Sequence, residues 1–315
     1  MPGGEANILE IVGKVPVGED VIEIVLGPVD GAILPRWPPG AHIDLLLTDE
    51  ITRSYSLCGD PGDRRRWRLL VELRPGGRGS TRLRDHLVVG ARLTYRGPYD
   101  RFRLAGASSY LFLGAGTGIS PLLPMARTVS AARVYPWSFV YVGKNPTLWN
   151  EARALGAEAT IGNSVSSVSS DFDPRRILAD APAGTAVHAC GGGDFVDAIE
   201  RVVSEHPGVE LHRQRFTSAD VPGGGGGGRA VELVLARRAE RVRVPAGSTL
   251  LRALLDHGVD VPYACGSGLC GACVVRVLDG RVIHRDSVLT ARERDGGSMA
   301  TCVSVPDSET LVLDL

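Results

Sequence analysis

Four cysteines constrain this chain more than any other feature. Three lie in Cys265-Gly-Ser-Gly-Leu-Cys270-Gly-Ala-Cys273, and the fourth, Cys302, follows at a distance. The spacing C-x4-C-x2-C with a remote fourth cysteine is the ligand run of a plant-type [2Fe–2S] cluster. One tightly curled loop must supply three thiolates and a separate segment the fourth. Gly266, Gly268 and Gly271 suit such a loop, because glycine permits φ > 0 and lets backbone N–H groups turn toward sulfur. The competing reading is a zinc site or a disulfide framework. Zinc loops pair two short knuckles, and only one C-x2-C occurs here. A cluster of this type passes one electron at a time, so the rest of the chain is read for an electron source.

The 315 residues suit two or three domains. A net charge of −1 argues against a nucleic-acid partner. The longest apolar candidate, Tyr110 to Ala126, is interrupted by glycines and prolines, so no membrane span is expected. The first residues show no basic stretch leading into an apolar one, and only Cys58 and Cys190 remain outside the cluster run. A cytoplasmic protein without a disulfide scaffold is the expectation.

Residues 1–104 carry short alternating runs, among them Ile8-Leu-Glu-Ile-Val, Val21-Ile-Glu-Ile-Val-Leu, His42-Ile-Asp-Leu-Leu-Leu and Arg68-Leu-Leu-Val-Glu-Leu. Separated by Gly/Pro/Asp clusters, they predict an antiparallel β-barrel with one short helix, Ser80 to Leu87. Arg53-Ser54-Tyr55-Ser56 offers a guanidinium fork for phosphate, a ring to cover a flavin and a hydroxyl to reach its N5 edge. Ordinary strand residues are the plainer reading. Gly79-Ser80-Thr81 opens the predicted helix and is a second phosphate candidate, or Ser80 is simply an N-cap.

Residues 105–221 switch to strand–helix alternation and predict a doubly wound parallel α/β sheet. Its strands are Tyr110–Leu113, Ser138–Val142, Ala157–Ile161, Ala186–Cys190 and Val209–His212. The helices expected are Leu122–Ser130, Asn150–Leu155, Pro174–Ala179 and Phe195–His206. Two glycine turns close strand ends: Gly114-Ala-Gly116-Thr117-Gly118, and Cys190-Gly191-Gly-Gly193. Both face the ligand-binding edge of such a sheet, and together they favour a nucleotide. Cys190 by itself is equally a small buried hydrophobe. Residues 222–228, Pro222 and six glycines, read as a flexible linker. Residues 229–315 read as a β-grasp ferredoxin domain, with a hairpin, a helix Leu250–His257 capped by Ser248, and a last strand at Leu311.

Over nearly its whole length the chain resembles the phthalate dioxygenase reductase family, which includes vanillate demethylase reductases. The resemblance rests on Arg53-Ser-Tyr-Ser-Leu-Cys58, Gly114-Ala-Gly-Thr-Gly-Ile-Ser-Pro121, Cys190-Gly-Gly, the cluster cysteines, His284-Arg-Asp286 and the ending Leu311-Val-Leu-Asp-Leu315. It implies three modules in the order flavin barrel, nicotinamide domain, ferredoxin. It further implies that Arg53 holds the phosphate of FMN, that Tyr55 and Ser56 line the flavin ring, and that Gly79 and Ser80 touch phosphate. Gly114 to Gly118 would take the dinucleotide, Cys190 would lie near the nicotinamide, and Phe216 would cover the flavin. NADH is the expected donor, with Lys144 leaving NADPH open. FMN is expected over FAD, because no adenine-stacking aromatic lies near Ser80. The expected partner of this monomer is a Rieske-type oxygenase. A diiron monooxygenase as acceptor and a non-catalytic redox sensor stand as alternatives. Gly192 replaces the family's usual proline, and Gln214 its usual glutamate.

Overall fold

The computed structural model describes residues 7–48, 51–73, 78–143, 146–155, 161–162, 172–216, 228–259, 261–263, 266, 268, 271–286 and 288–315. Cys265, Cys270, Lys144, strand residues 157–160 and nearly all of the linker lie outside them. The chain divides into two compact units, Met1–Phe216 and Thr217–Leu315.

The first unit opens with six antiparallel strands: β1 (Asn7–Pro16), β2 (Val21–Pro28), β3 (His42–Thr48), β4 (Ile51–Ser56), β5 (Trp67–Glu72) and β6 (Arg92–Tyr99). They are ordered β4-β3-β6-β1-β2-β5. Leu57, just past β4, bridges to Leu69 of β5, and the Cys58 N–H donates to the Arg68 carbonyl at 3.0 Å. These contacts join the two edges and close the sheet into a barrel. Period-2 alternation sends Leu9, Ile11, Ile24, Leu26, Ile43, Leu45, Trp67 and Leu69 into its interior. The short helix α1 (Arg78–Thr81) runs on into a wide turn, Arg82–His86, that buries Leu83. It starts two residues before Ser80, so Ser80 lies within the helix rather than capping it.

The second sheet of this unit is parallel: β7 (Ser109–Ala115), β8 (Trp137–Val142), β9 (Ile161–Gly162), β10 (Thr185–Gly191) and β11 (Glu210–Arg215). Its order is β11-β10-β7-β8-β9. From β7 the chain winds outward to β9, then returns to lay β10 on the other side of β7. The winding therefore reverses between β7 and β10, the place where open α/β sheets bind ligands. The helices are α2 (Ile119–Ala132), α3 (Pro146–Ala154), α4 (Pro174–Leu178) and α5 (Gly193–Val203). Tyr110 and Phe112 of β7 pack on the α2 face, and Leu111 and Leu113 on the α5 face. Both faces of the strand are buried, so it reads as one apolar run. α3 begins four residues before the expected Asn150, because Pro146 is preorganised for a first helical position.

Barrel and parallel sheet share a packed junction. Cys58, Leu70 and Phe102 from the barrel side join Ile119, Leu122 and Met125 of α2 in one cluster. Beside it Arg68 of β5 holds Glu151 of α3 through Nη1 (3.0 Å) and Nη2 (2.8 Å), and Nη2 also meets Glu23 of β2.

Two buried histidines make this unit acid-sensitive. Burial, aided by Arg101, lowers the pKa of His42 to about 4. Burial, aided by His212, lowers that of His188 to about 3. Both stay neutral in the folded chain while the unfolded chain takes up protons below about pH 6.5. Stability is therefore full above that pH and falls as pH drops toward 4 and 3, by up to about 1.4 kcal/mol per pH unit for each group. Urea titrations at pH 7 and pH 5 should differ by on the order of 3 kcal/mol. Equal stabilities would show that neither histidine is held neutral.

The second unit contains β12 (Val231–Leu235), β13 (Glu240–Val244), α6 (Leu250–Asp256), β14 (Val274–Asp279), β15 (Val282–Ile283), α7 (Ala291–Asp295), β16 (Ser298–Ala300), β17 (Val305–Pro306) and β18 (Thr310–Leu313). The main sheet is ordered β13-β12-β18-β14-β16, and β15 pairs with β17. Among the described residues of this unit only the β12–β18 pairing is parallel. Leu250, Leu251 and Leu254 of α6 share a core with Leu233, Leu235, Leu311 and Leu313, a β-grasp arrangement. The N-cap of α6 is Thr249, not Ser248: the Thr249 hydroxyl accepts the Arg252 N–H at 3.1 Å. The Ser248 hydroxyl instead donates to the Thr249 carbonyl.

Candidate functional site

The two glycine turns meet at the reversal between β7 and β10. Gly116–Gly118 forms a single tight turn that feeds α2, with the Ser120 hydroxyl donating to the Thr117 carbonyl at 2.7 Å. Gly114 is the penultimate residue of β7. A Cβ on Gly118 would lie 2.1 Å from the Cys190 carbonyl oxygen and 2.8 Å from the Gly191 nitrogen. The two turns are interlocked through that missing side chain. α2 has no side-chain cap and no acidic residue in its first turn, so its free N–H groups and positive dipole end suit an anion. α5, which follows Gly191 and Gly192, carries Asp194 in its first turn, which disfavours an anion there.

The walls of this edge come from both layers. The Thr117 hydroxyl donates to Glu72 Oε2 of barrel strand β5 at 3.2 Å. The Phe216 N–H donates to the Gly191 carbonyl at 2.9 Å, and its half-buried ring packs in the cluster that contains Cys190. The Cys190 thiol faces Gln214 Oε1 at 3.8 Å. It is fully buried, and burial pushes its pKa well above the ordinary thiol value. At neutral pH it is a thiol that shapes the floor of the edge, not a thiolate nucleophile.

Barrel strand β4 carries the predicted flavin residues. Register pairs Tyr55 with Ile43, Arg53 with Leu45, Ser54 with Asp44 and Ser56 with His42. Directly paired residues share a face. Arg53 and Tyr55 thus lie on one side of the strand, and Ser54 and Ser56 on the other. The Ser54 hydroxyl donates to Asp44 Oδ1 at 2.6 Å, and Arg53 Nη1 to the Thr52 carbonyl at 2.8 Å. Burial raises the Tyr55 phenol pKa, and the nearby Arg53 guanidinium pulls it the other way. Gly79, Ser80 and Thr81 lie in α1, which packs next to β4. The strand that carries Arg53 and the glycine segment are thereby neighbours. Tyr55 and Ser56, grouped by the motif, are set on opposite faces.

In the second unit the pairing of Val274 with Ala300 places Cys273 opposite Thr301, the residue that precedes Cys302. Both the N–H and the hydroxyl of Thr301 donate to the Cys273 carbonyl, at 3.2 and 3.0 Å. Cys273 and Cys302 are buried and unbridged. Gly266, Gly268 and Gly271 all have positive φ, between +64° and +72°. The Gly268 N–H donates to Cys302 Sγ at 3.2 Å. Two buried soft thiols, glycines of positive φ and a backbone N–H aimed at sulfur fit an iron–sulfur cluster.

Comparison with known proteins agrees with this chemistry. Residues 10–104 match the family described as oxidoreductase FAD-binding domain. Residues 234–307 match that described as 2Fe-2S iron-sulfur cluster binding domain. The vanillate O-demethylase oxidoreductase of Pseudomonas putida is 31% identical over 97% of this chain and 98% of its own length. The chain belongs to the phthalate dioxygenase reductase family. The solved phthalate dioxygenase reductase, described as a modular structure for electron transfer from pyridine nucleotides to [2Fe–2S], superposes with a TM-score of 0.71. It is 27% identical over 98% of this chain and 97% of its own. An intact type IV self-sufficient cytochrome P450 monooxygenase gives a TM-score of 0.84 at 34% identity over 98% of this chain. The chain spans 41% of that monooxygenase. The reductase is thus a flavin and iron–sulfur oxidoreductase that draws on NAD(P)H. None of the helices formed by the described residues is long and apolar enough to cross a membrane.

Sequence reasoning passed over Glu72, which borders the glycine turn. Glu72 gave no local signal, since its contact with Thr117 spans 45 positions.

Proposed function

We propose that the reductase takes a hydride from NADH onto FMN in its first unit and delivers electrons singly, through a [2Fe–2S] cluster, to a Rieske-type oxygenase. The functional modules are residues 1–104 for flavin, 105–221 for nucleotide, a linker at 222–228 and 229–315 for the cluster. The interlock of Gly118 with Cys190 at the strand-order reversal carries this reading. It fixes a bare helix N-terminus and an aromatic at one edge of the sheet.

The flavin supplies acceptance of an electron pair and release of single electrons, which the donor and the cluster each lack. Arg53 and the Gly79-Ser80-Thr81 segment hold the flavin phosphate, while Tyr55, packed against the barrel core on the strand face away from Ser56, borders the ring, and Ser54 steadies the strand through Asp44. Ser56, at the end of β4, donates its hydroxyl toward the N5 edge. Gly114, Gly116, Thr117 and Gly118 bring the nucleotide pyrophosphate to the start of α2. Cys190 and Gly191 floor the nicotinamide position, and Phe216 covers the flavin. Cys265, Cys270, Cys273 and Cys302 ligate the cluster. The protein acts as a cytoplasmic monomer, with FMN preferred to FAD and NADH to NADPH.

Rapid mixing with NADH should bleach the flavin first and the cluster second; the reverse order would refute the proposed route. The likeness to the P450 monooxygenase favours a second acceptor, a haem protein served by the same electron route. Reconstitution with a Rieske oxygenase and, separately, a cytochrome P450 discriminates the two by which one turns over.

A further inference from the structure

The segment His284-Arg285-Asp286 plays no part in the sites above, yet Asp286 is the most deeply placed acid of the second unit's described residues. Its side chain has no solvent exposure. Oδ2 accepts the Leu289 N–H at 2.9 Å and Arg294 Nη2 at 3.2 Å. The same Nη2 donates to the Asp286 carbonyl at 2.8 Å. Among the described residues Oδ1 has no hydrogen-bond donor, and His284 Nδ1 lies 3.6 Å from it. Arg294 is itself held by α7, whose start is fixed by the Thr290–Glu293 capping box.

Asp286 backs directly onto the cysteine loop. A Cβ on Gly268 would lie 3.0 Å from Asp286 Cα, 3.3 Å from its Cβ and 2.7 Å from Val303 Cγ2. Gly268 is the residue whose N–H points at Cys302 Sγ. A chain of contacts therefore runs from Arg294 through Asp286 to Gly268 and on to a cluster sulfur. A neutral acceptor would satisfy the Leu289 N–H equally well, and burying a carboxylate carries a desolvation cost that its pairing must offset. The position keeps a charge that turn geometry does not require. Net charge and hydrogen bonds to sulfur are the levers by which a protein sets the potential of such a cluster.

We infer that Asp286 and Arg294 form a positioning and potential-setting pair for the cluster: Asp286 seats Gly268 against Cys302, and the two opposed charges set how readily the cluster takes its electron. The inference rests on the cluster reading of Cys265, Cys270, Cys273 and Cys302. Negative charge disfavours the reduced cluster and positive charge favours it, so removing each partner shifts the potential in an opposite direction.

The test is a redox titration of the full-length holoprotein, followed by the electron paramagnetic resonance signal of the reduced cluster. Asp286→Asn keeps the shape and drops the charge; it should favour reduction about tenfold, a rise of about 59 mV for one electron. Arg294→Gln should shift the equilibrium the other way, and Arg294→Lys should stay near wild type. If Asp286→Asn fails to retain iron, the Gln and Lys variants at position 294 decide alone. Opposite shifts support the inference. Shifts of the same sign, or Arg294→Gln at the wild-type potential, overturn it. A wild-type protein without a [2Fe–2S] signal would instead overturn the cluster reading beneath it.

Discussion

In the Cys302→Ser variant, cluster reduction is expected to fall to background while NADH reduces the flavin at the wild-type rate. Cys302 lies in the second unit, and its sulfur accepts the Gly268 N–H. A serine hydroxyl is a hard donor in place of a soft thiolate, and iron–sulfur clusters are built on thiolates. The residues assigned to flavin and nucleotide all belong to the first unit, which has its own cores. Stopped-flow absorbance separates the two events, with ferricyanide reduction as the flavin assay and cytochrome c reduction as the cluster assay. Loss of both would mean that the first unit depends on the second, contrary to the modular reading.

Gly118→Val is the second large effect, and it acts on the opposite end of the electron route. Its Cβ would overlap the Cys190 carbonyl, which is backbone and has no flexible side chain to yield. Overpacking of this kind costs about 1–3 kcal/mol, and relief requires the start of α2 to move away from β10. A shift of about 1 Å at a site that aligns two reactants costs on the order of a hundredfold in rate. Flavin reduction by NADH should fall by about that factor while flavin and iron contents stay at wild-type levels. Gly192→Ala is the control. Its Cβ meets nothing within 4 Å, and its rate should be unchanged. A wild-type rate in Gly118→Val would remove the interlock from the mechanism.

What the sequence disclosed and what it hid follow one division. Glycine turns, strand alternation and cysteine spacing are local requirements, so the barrel, the doubly wound sheet and the cluster loop were legible. Contacts between distant residues were not. Nothing local indicates that Gly118 abuts Cys190, or that Thr117 meets Glu72. A helix cap was misassigned where two local signals competed, although the helix start at Leu250 was right. Ser248 and Thr249 both offer a hydroxyl, and only the geometry at Arg252 selects Thr249. At Pro146 the ring's fixed φ was the better signal and was overlooked. Motif grouping also hid the pleat: Tyr55 and Ser56 are neighbours in the motif, yet register sends them to opposite faces of β4.

The position of β18 bears on how the protein is made. This last strand lies in the middle of its sheet, between β12 and β14, so the sheet cannot close until residues 310–313 have been synthesised. A nascent chain that has already released Cys265, Cys270 and Cys273 therefore lacks both Cys302 and the central strand. For that interval its thiols stand open to oxidants and stray metals. Iron delivery consequently belongs after translation of this unit, and expression under limited iron should yield apoprotein whose defect lies in its cysteine loop, with the flavin already in place.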